Sequence, residues 1–320
     1  MTRRVLITGG YGYVGGRAAL ELAKQGWAVT LGTRRPGHVG PTWLPQAQSS
    51  RLDWESAEQL CSACADQDAL VHLAAMNEND ALRDPVAALK VNGVATLQLL
   101  EAAKLARVKR VIYLSTAHVY GAPLAGTINE NSLPRPIHPY AITHKVAEDF
   151  VLAAHDKGIM EGVVMRMSNG FGAPAHGVVD RWTLLVNDLC RQAVVSKKMV
   201  LQSAGLQRRD FITLGDAARA IAHALDLSKP ELADGLFNLG GDAPFRVIEM
   251  AKLIVERCET TLGFCPVLHS AAVGPNEKSL DLDYSSRKLL GTGFVLKRDH
   301  ASEIDDTLRL CSRVFGKSFP

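Results

Sequence analysis

A glycine-rich turn close to the amino end constrains the fold of this chain more than any other feature. Residues 9–15 read Gly-Gly-Tyr-Gly-Tyr-Val-Gly, with an apolar run over 4–8 before them and a helical pattern over 15–25 after them. Glycines in a strand-to-helix turn let the backbone come close to a pyrophosphate, which the free N–H groups at the helix start can bind. The context of the turn therefore predicts a dinucleotide-binding α/β unit.

Strand and helix patterns alternate beyond the turn. Strand-like runs cover 27–33, 69–74, 110–115 and 162–168, and helical patterns cover 57–66, 89–106 and 140–157. This alternation predicts a Rossmann-type doubly wound parallel sheet with crossover helices. We assign residues 1–170 to the dinucleotide-binding domain, and 171–211 with 241–320 to a smaller carboxy-terminal substrate-binding lobe. The segment 212–240 is expected to return to the larger domain, where 235–240 can add a strand to the sheet.

Composition excludes several classes of function. The chain has 320 residues, 47% of them hydrophobic, and a formal net charge of +3 with its basic residues in scattered pairs. Such a balance disfavours nucleic-acid or membrane partners, and no apolar run approaches the ~18 residues that span a bilayer. Cys61 and Cys64 are the only closely spaced cysteines, and they lie in a helical pattern without a second ligand pair. We therefore expect no metal site and a reduced, cytoplasmic setting.

The end of the second predicted strand indicates which dinucleotide binds. Residues 31–35 read Leu-Gly-Thr-Arg-Arg and contain no carboxylate of the kind that holds the ribose 2′-hydroxyl of NAD. Guanidinium groups form charge-assisted hydrogen bonds to phosphate, which suits the 2′-phosphate of NADP. The sequence thus favours NADP(H) over NAD(H), with Arg34 as the phosphate ligand, whereas Arg35 fits a solvated surface position equally well.

Further motifs follow the turn at characteristic spacings. They are Thr8 with the three glycines, Asp53, the run 72–75 (His-Leu-Ala-Ala), Asp84-Pro85, Val91-Asn92, Thr116 with Val119-Tyr120-Gly121, Pro139-Tyr140, Arg166 with Asn169 and Gly172, Arg209-Asp210-Phe211 with Asp216, and the run 237–240 (Phe-Asn-Leu-Gly). Together they cover nearly the whole chain. The chain resembles the extended short-chain dehydrogenase/reductases, in particular the NAD(P)-dependent nucleotide-sugar epimerases, dehydratases and reductases.

This resemblance implies a set of site residues. Tyr140 would be the general acid/base that moves a proton to or from a sugar oxygen, Thr116 would hydrogen-bond the same oxygen, and hydride would pass between the substrate carbon and the nicotinamide. The implied cofactor-binding residues are Gly9, Gly12, Tyr13, Val14, Gly15, Arg34, Asp53, Leu73, Ala74, Ala75 and Asn92. The implied substrate-binding residues are Asn169, Arg209 and Asn238, together with His118, which fits a packed or solvated position at least as well.

The chain departs from the family four residues after the tyrosine. The family has a lysine there, whereas this chain has His144 and then Lys145, with the family's glutamate retained as Glu148. On an α-helix, residue i+4 shares the face of residue i, while residue i+5 is rotated away from it. We therefore expect His144 to replace the lysine beside the nicotinamide ribose and to make activity depend on pH near neutrality. Lys145 replaces it instead if the helix is locally distorted.

Two other departures concern the reaction and the substrate. Sugar 4,6-dehydratases of the family carry Asp-Glu directly after the catalytic threonine, whereas this chain carries Ala117-His118. Water elimination is therefore not expected. The loop 273–278 lacks an arginine that the family often places near the diphosphate of a nucleotide sugar.

The sequence predicts an NADP(H)-dependent oxidoreductase or epimerase that acts by hydride transfer at a ring carbon of a nucleotide sugar. Two alternatives stay open: a reductase of a non-nucleotide carbonyl compound, and a catalytically silent dinucleotide-binding protein. The resemblance also implies a homodimer, in which the helices over 89–106 and 140–157 of two subunits form a four-helix bundle. Four small residues would permit such packing, and they are Ala102, Ala103, Ala147 and Ala153.

Overall fold

Strands and helices alternate through the amino-terminal half and become less regular after it. The computed structural model describes residues 2–34, 41–274 and 279–316. Its strands are β1 (Arg4–Thr8), β2 (Ala28–Thr33), β3 (Gln48–Arg51), β4 (Ala69–His72), β5 (Arg110–Thr116), β6 (Gly126–Ile128), β7 (Glu161–Met167), β8 (Asn169–Phe171), β9 (Lys198–Leu201), β10 (Arg208–Thr213), β11 (Leu236–Leu239), β12 (Pro244–Arg246), β13 (Val267–Ser270) and β14 (Leu282–Tyr284). Its α-helices are α1 (Tyr13–Lys24), α2 (Ala57–Cys64), α3 (Glu78–Arg83), α4 (Pro85–Ala88), α5 (Ala95–Leu105), α6 (Pro139–Asp156), α7 (Leu185–Ser196), α8 (Leu214–Asp226), α9 (Lys229–Leu232), α10 (Val247–Leu262), α11 (Arg287–Leu290) and α12 (His300–Phe315).

A seven-stranded parallel sheet forms the centre of the molecule, in the order β11-β7-β5-β4-β1-β2-β3. Strand β1 is its switch point, because β2 lies on one side of it and β4 on the other. In open α/β sheets, ligands bind in the crevice at the carboxyl ends of the strands at such a point. The fold is therefore the predicted doubly wound Rossmann type, and the glycine turn lies at that crevice.

The period of two along β1 distributes side chains to both faces of the sheet. Val5 and Ile7 pack into a core that includes residues of α1 and α8, whereas Leu6 packs into the core on the other face, under α2, α5 and α6. All three side chains are fully buried. Both faces of the sheet are therefore covered, as a doubly wound fold requires.

The edges of the sheet come from distant parts of the sequence. Strand β11 pairs in parallel with β7, so the segment expected to return does add a strand. Strand β3 pairs with β2 at the opposite edge. Sequence patterns did not indicate β3, because its residues Gln-Ser-Ser-Arg lack apolar periodicity. An edge strand needs little hydrophobicity when its partner supplies the hydrogen bonds.

A second hydrophobic core lies among the carboxy-terminal helices. It contains Val186 and Leu189 of α7, Ile254 of α10, and Ile304 and Leu308 of α12. The ion pair of Arg17 with Glu303, 2.5 Å long, ties α12 to the first helix of the large sheet. No helix in the ranges the structure describes is long and apolar enough to cross a membrane. In those ranges, no cluster of three or more histidine, cysteine or acidic residues is arranged to hold a metal ion.

Three of the four small residues predicted for a dimer interface lie inside the subunit. Ala102 and Ala103 of α5 and Ala147 of α6 are buried in the subunit's own core against the sheet. Ala153 alone is partly exposed. The prediction was wrong for the three buried residues, because their side chains face inward where the helices meet the strands.

Candidate active site

The glycine turn is folded tightly against the chain that follows β4. Gly9 has a φ of +69°, and the amide of Gly12 donates to its carbonyl over 2.8 Å. A Cβ on Gly9 would lie 2.9 Å from the nitrogen of Ala74, and one on Gly15 only 2.1 Å from the carbonyl oxygen of Gly9. Helix α1 then begins with Gly12 as its N-cap and no side-chain cap. These uncapped N–H groups in a glycine-rich turn fit a dinucleotide pyrophosphate.

Two residues of the turn serve the fold through their side chains. The hydroxyl of Tyr13 donates to the carbonyl of Gly172 over 3.0 Å and pairs with the amide of Asn187. Val14 packs against the hydrophobic cores. The predicted contact of these two residues with the cofactor stays a prediction, and their backbone N–H groups are the candidates for it.

A buried chain of hydrogen bonds runs beside the turn. The Thr8 hydroxyl lies 2.6 Å from Nδ1 of His72, and Nε2 of His72 lies 2.9 Å from the Thr96 hydroxyl, which donates to the carbonyl of Asn92. The amides of Leu73 and Ala74 donate to the Thr8 hydroxyl. Burial lowers the pKa of His72 to about 4, so its ring is neutral at neutral pH. We name Thr8, His72, Thr96 and Asn92 the closed network.

Asn92 lies in a π-helical turn, Leu89–Val94, between α4 and α5. Its Oδ1 accepts from the amide of Met76 over 2.7 Å, and its Nδ2 donates to the hydroxyl of Thr143 over 2.9 Å. The side chain is 1% exposed. It fastens the loop after β4 to helix α6, and its predicted contact with the cofactor stays a prediction. Ala75, one residue before Met76, is exposed at the carboxyl edge of the sheet.

The residues predicted for the adenosine end lie at the carboxyl ends of β2 and β3. Arg34 directly follows β2, is exposed, and makes no ion pair with the residues that the structure describes. Arg35 lies outside the described residues. Asp53 follows β3, accepts from the amide of Glu55 over 3.1 Å, and lies 3.7 Å from the Arg51 guanidinium. Both positions keep a charged group at the predicted end of the groove.

Thr116 and Tyr140 meet at the carboxyl end of β5. Thr116 is the last residue of β5, and Tyr140 lies in the first turn of α6, whose N-cap is His138. Burial raises the pKa of the Tyr140 phenol, and the Glu78 carboxylate adds to this, whereas Arg181 and a hydrogen bond with Thr116 oppose the rise. The net pKa lies above the usual value. The structure therefore brings together the two residues expected to act on one substrate oxygen.

His144 lies directly beside Tyr140, one helical turn along. The two rings meet edge to face with their centroids 4.4 Å apart, and Nδ1 of His144 lies 2.6 Å from the Tyr113 hydroxyl. Burial, aided by His72, lowers the pKa of His144 to about 3. A desolvated imidazole stays neutral at neutral pH, which argues against the expected dependence of activity on pH near neutrality.

Lys145 does not take the place of the family's lysine. Helix α6 is continuous from Pro139 to Asp156, and Lys145 forms an ion pair with Asp149 one turn further on. Glu148 is fully buried and forms a bidentate pair with Arg166, at 3.0 and 2.7 Å. The alternative of a distorted helix is therefore excluded, and Glu148 supports β7 from inside the core.

Polar groups cluster around the mouth of this site. Burial lowers the pKa of His118, Glu78 opposes that shift, and Arg209 and His138 add to it. Asn169 is partly exposed on β8 and donates to the carbonyl of Asp210 over 2.9 Å. Asp210 accepts from Ser168 and from the amide of Gly241, so it does not form the ion pair with Arg209 that could have removed this guanidinium from the site.

Asn238 does not line a groove. It is fully buried, and its Oδ1 accepts from the hydroxyls of Tyr120 and Tyr284, at 2.7 and 3.1 Å. Its Nδ2 donates to the carbonyl of Ser285 over 3.2 Å. The predicted substrate contact is wrong for this side chain, because its hydrogen-bonding capacity is used inside the core.

Several site residues carried no sequence signal. Tyr113 lies within the apolar strand β5, Glu78 is the first residue of α3, and Arg181 lies in the loop before α7. An aromatic cluster also covers the glycine turn: Trp43 stacks on His176 with centroids 5.3 Å apart, and Nε2 of His176 lies 3.1 Å from the carbonyl of Tyr11. These contacts join segments more than a hundred residues apart, which local patterns do not reveal.

The fold and the site define an enzyme of the extended short-chain dehydrogenase/reductase class. The chain belongs to the NAD dependent epimerase/dehydratase family, whose family model matches residues 5–240. Among curated relatives, a UDP-glucose 4-epimerase of Rhizobium leguminosarum bv. trifolii is 29% identical over 245 residues, covering 75% of this chain and 74% of the relative.

Solved structures cover almost the whole chain. MoeE5, in complex with UDP-glucose and NAD, is 25% identical with a TM-score of 0.77, covering 97% of this chain and 99% of that one. RMD from Pseudomonas aeruginosa, complexed with NADPH, is 21% identical with a TM-score of 0.78. The match covers 98% of this chain and 100% of the RMD chain. The likeness to RMD shows the fold alone.

Proposed function

We propose that this protein epimerises a nucleotide-activated sugar at C4 by reversible hydride transfer. The observation that carries the proposal is the meeting of Thr116 and Tyr140 at the carboxyl end of β5. Support comes from the relatives, among which the Rhizobium protein is a UDP-glucose 4-epimerase.

The chain's own residues perform the proton transfer. The Thr116 hydroxyl holds the sugar oxygen beside the phenol of Tyr140. Once its phenol has ionised, which its raised pKa favours only at alkaline pH, Tyr140 takes the hydroxyl proton while a carbonyl forms at the carbon. It returns that proton when hydride comes back to the other face. The bound nicotinamide supplies the acceptor and donor of hydride. His144 takes the place of the family's lysine on the cofactor side of Tyr140.

The substrate side is proposed to hold a diphosphate. Arg209 offers a guanidinium that no ion pair occupies in the described part of the chain, and Asn169 lies on the neighbouring strand β8. The lobe formed by 171–211 and 241–320 would carry the nucleotide. Ala117 and His118 stand where dehydratases carry their acid pair, so water elimination is not part of the proposal. The loop that lacks the family's arginine lies partly outside the described residues, at 275–278.

The cofactor preference is proposed as NADP(H), since Arg34 is exposed and unpaired among the described residues at the end of β2. The NAD in the MoeE5 complex favours the opposite choice. An NADP(H) preference would favour a second function, the net reduction of a keto sugar. That reaction consumes NADPH, whereas epimerisation regenerates its cofactor.

A homodimer is proposed through α5, α6 and the π-helical turn. Large apolar side chains are exposed there, namely Leu89, Val94, Leu97 and Ile142, with Leu82 and Val86 just before them. An apolar patch of this kind marks an interface. Light scattering of the wild type beside Leu97→Glu tests it, with a shift to monomer expected only in the variant.

A substrate panel tests the proposed reaction. The protein is incubated with UDP-glucose and with a 4-keto nucleotide sugar, each with NAD⁺ or NADPH, and products are separated by chromatography. Epimerisation yields the C4 epimer without net cofactor consumption, whereas reduction consumes NADPH in step with product. Oxidation of NADPH by a carbonyl compound without a nucleotide would favour the reductase alternative. Stabilisation by dinucleotide without turnover of any substrate would contradict an enzymatic function.

A further inference from the structure

One buried nitrogen beside the reaction centre lacks a partner. His144 is 3% exposed, and its Nε2 has no hydrogen-bond partner in the described ranges, although Nδ1 is bonded to Tyr113. A buried polar atom left without a partner destabilises the fold, so such atoms in native proteins commonly wait for a ligand or a water. The nitrogen belongs to the residue that lies edge-on against Tyr140.

The hydrogen-bond inventory decides which nitrogen of His144 carries the proton. Burial raises the pKa of the Tyr113 phenol well above its usual value, so this hydroxyl keeps its hydrogen. If Tyr113 donates to Nδ1, the proton of the ring lies on Nε2 and a single N–H group is unsatisfied. If Nδ1 donates instead, both the phenol hydrogen and the bare Nε2 are buried without partners. The first arrangement leaves fewer buried polar atoms unsatisfied.

Among the described residues, the rings in contact with His144 carry no positive charge that could replace the family's lysine. His72, the neighbouring imidazole, is neutral because burial lowers its pKa to about 4. Tyr113 lies between the two histidines, with ring centroids 5.5 Å from His72 and 5.8 Å from His144. Lys145 is engaged with Asp149 on the outer face of the helix. A neutral N–H group is therefore what this side of Tyr140 can offer a ligand.

We propose that Tyr113 is a positioning residue that locks His144 in the Nε2–H form, so that a neutral donor meets a hydroxyl group of the bound dinucleotide. This inference rests on the proposed function only for the identity of the ligand. Tyr113 itself touches neither substrate nor cofactor. Its hydroxyl acts through His144, and the same bond prevents the ring from turning its acceptor nitrogen toward the ligand.

Nitrogen NMR on the histidine-labelled full-length protein tests the tautomer without any turnover. His144→Gln identifies the His144 signals by their disappearance. We expect the wild type to show a proton on Nε2 and none on Nδ1 at neutral pH, and we expect NAD⁺ or NADP⁺ to shift that Nε2–H signal. A proton on Nδ1, or a signal that neither dinucleotide changes at saturation, would overturn the proposal.

Tyr113→Phe tests the positioning role, with Tyr284→Phe as its matched control. Tyr284 is equally buried, but its hydroxyl bonds the carbonyl of Arg166 and Asn238 rather than His144. We expect Tyr113→Phe to mix the two tautomers and to weaken dinucleotide binding about three- to tenfold, the effect of one hydrogen bond. In the control variant, we expect the tautomer of His144 and the affinity for the dinucleotide to stay as in the wild type. An unchanged tautomer in Tyr113→Phe contradicts the proposal, and if that variant does not fold, the wild-type spectrum decides.

These measurements separate the inference from the proposed function. Failure to convert any nucleotide sugar would remove the proposed reaction but leave the tautomer and the dinucleotide contact testable. Conversion of a nucleotide sugar by a protein whose His144 carries its proton on Nδ1 would remove the inference and leave the reaction standing.

Discussion

Two polar clusters lie side by side at the carboxyl edge of the sheet, and they are completed differently. In the closed network, both nitrogens of His72 have hydroxyl partners, and the Thr96 hydroxyl donates a hydrogen bond to the carbonyl of Asn92. In the second cluster, formed by Tyr113, His144 and Tyr140, one imidazole nitrogen is left without a partner among the described residues. We name this second group the open cluster.

The difference indicates what each cluster does. A buried network whose donors and acceptors are all paired fixes one shape, here the position of the glycine turn relative to α6. A buried donor without a protein partner is commonly completed by a ligand or a water, as at a binding site. The closed network thus serves the fold, and the open cluster serves the ligand.

Removal of the phenol from the open cluster gives the largest expected effect. Tyr140→Phe deletes the proton carrier, and general acid–base catalysis contributes about 10²–10⁴-fold to such a step. We expect kcat to fall by about that factor while dinucleotide binding and the melting temperature stay near wild type. Retained turnover would place the proton transfer elsewhere.

Gly15→Ala should separate binding from catalysis at the turn. Its Cβ would lie 2.1 Å from the carbonyl of Gly9, so the turn has to open. We expect roughly a hundredfold weaker dinucleotide binding in a fluorescence titration, in line with a shift of the phosphate-binding backbone. Gly26→Ala is the control for an added methyl group outside the turn: Gly26 has a φ of +84°, which Gly15 does not share, and its Cβ would meet no atom within 4 Å. Equal losses in the two variants would contradict a specific role of the turn.

The turn and the sheet were predictable from sequence because both are local patterns. The run 9–15 and the strand–helix rhythm each carry their signal within a few residues. Asn238 and Ala102 were misassigned because their burial is decided by β11 and α5 meeting distant partners. His144 was found by helical spacing, but its charge state depends on desolvation by neighbours that spacing does not show.

Acid should destabilise the protein through its buried histidines. The folded-state pKa of His72 is about 4, below the usual 6.5, so the unfolded chain binds protons first as the pH falls. The contribution to stability is complete above pH ~6.5 and is lost as the pH falls toward about 4, at roughly a few kcal/mol. Melting temperatures across this range should fall less steeply in His72→Gln. His269→Gln, at an exposed position on β13, should show the same dependence of melting temperature on pH as the wild type. An equal dependence in all three proteins would contradict the prediction.

Arg34→Ala should have the smallest effect and bears on the cofactor. Loss of a charge-assisted bond to a 2′-phosphate weakens binding about tenfold, whereas NAD has no such phosphate. We expect NADP⁺ affinity to fall and NAD⁺ affinity to stay the same in calorimetric titrations. A wild type that prefers NAD⁺, with no change in the variant, would remove Arg34 from cofactor recognition.

The pH dependence of kcat/KM for the wild type and His144→Gln tests the contrast between the two clusters most directly. A neutral His144, with a pKa of about 3, predicts activity that rises only at alkaline pH with the ionisation of Tyr140, whose pKa burial raises, and the same limb in the variant. A limb near pH ~6.5 in the wild type that disappears in His144→Gln would show a titrating imidazolium. It would contradict the neutral donor on which the account depends.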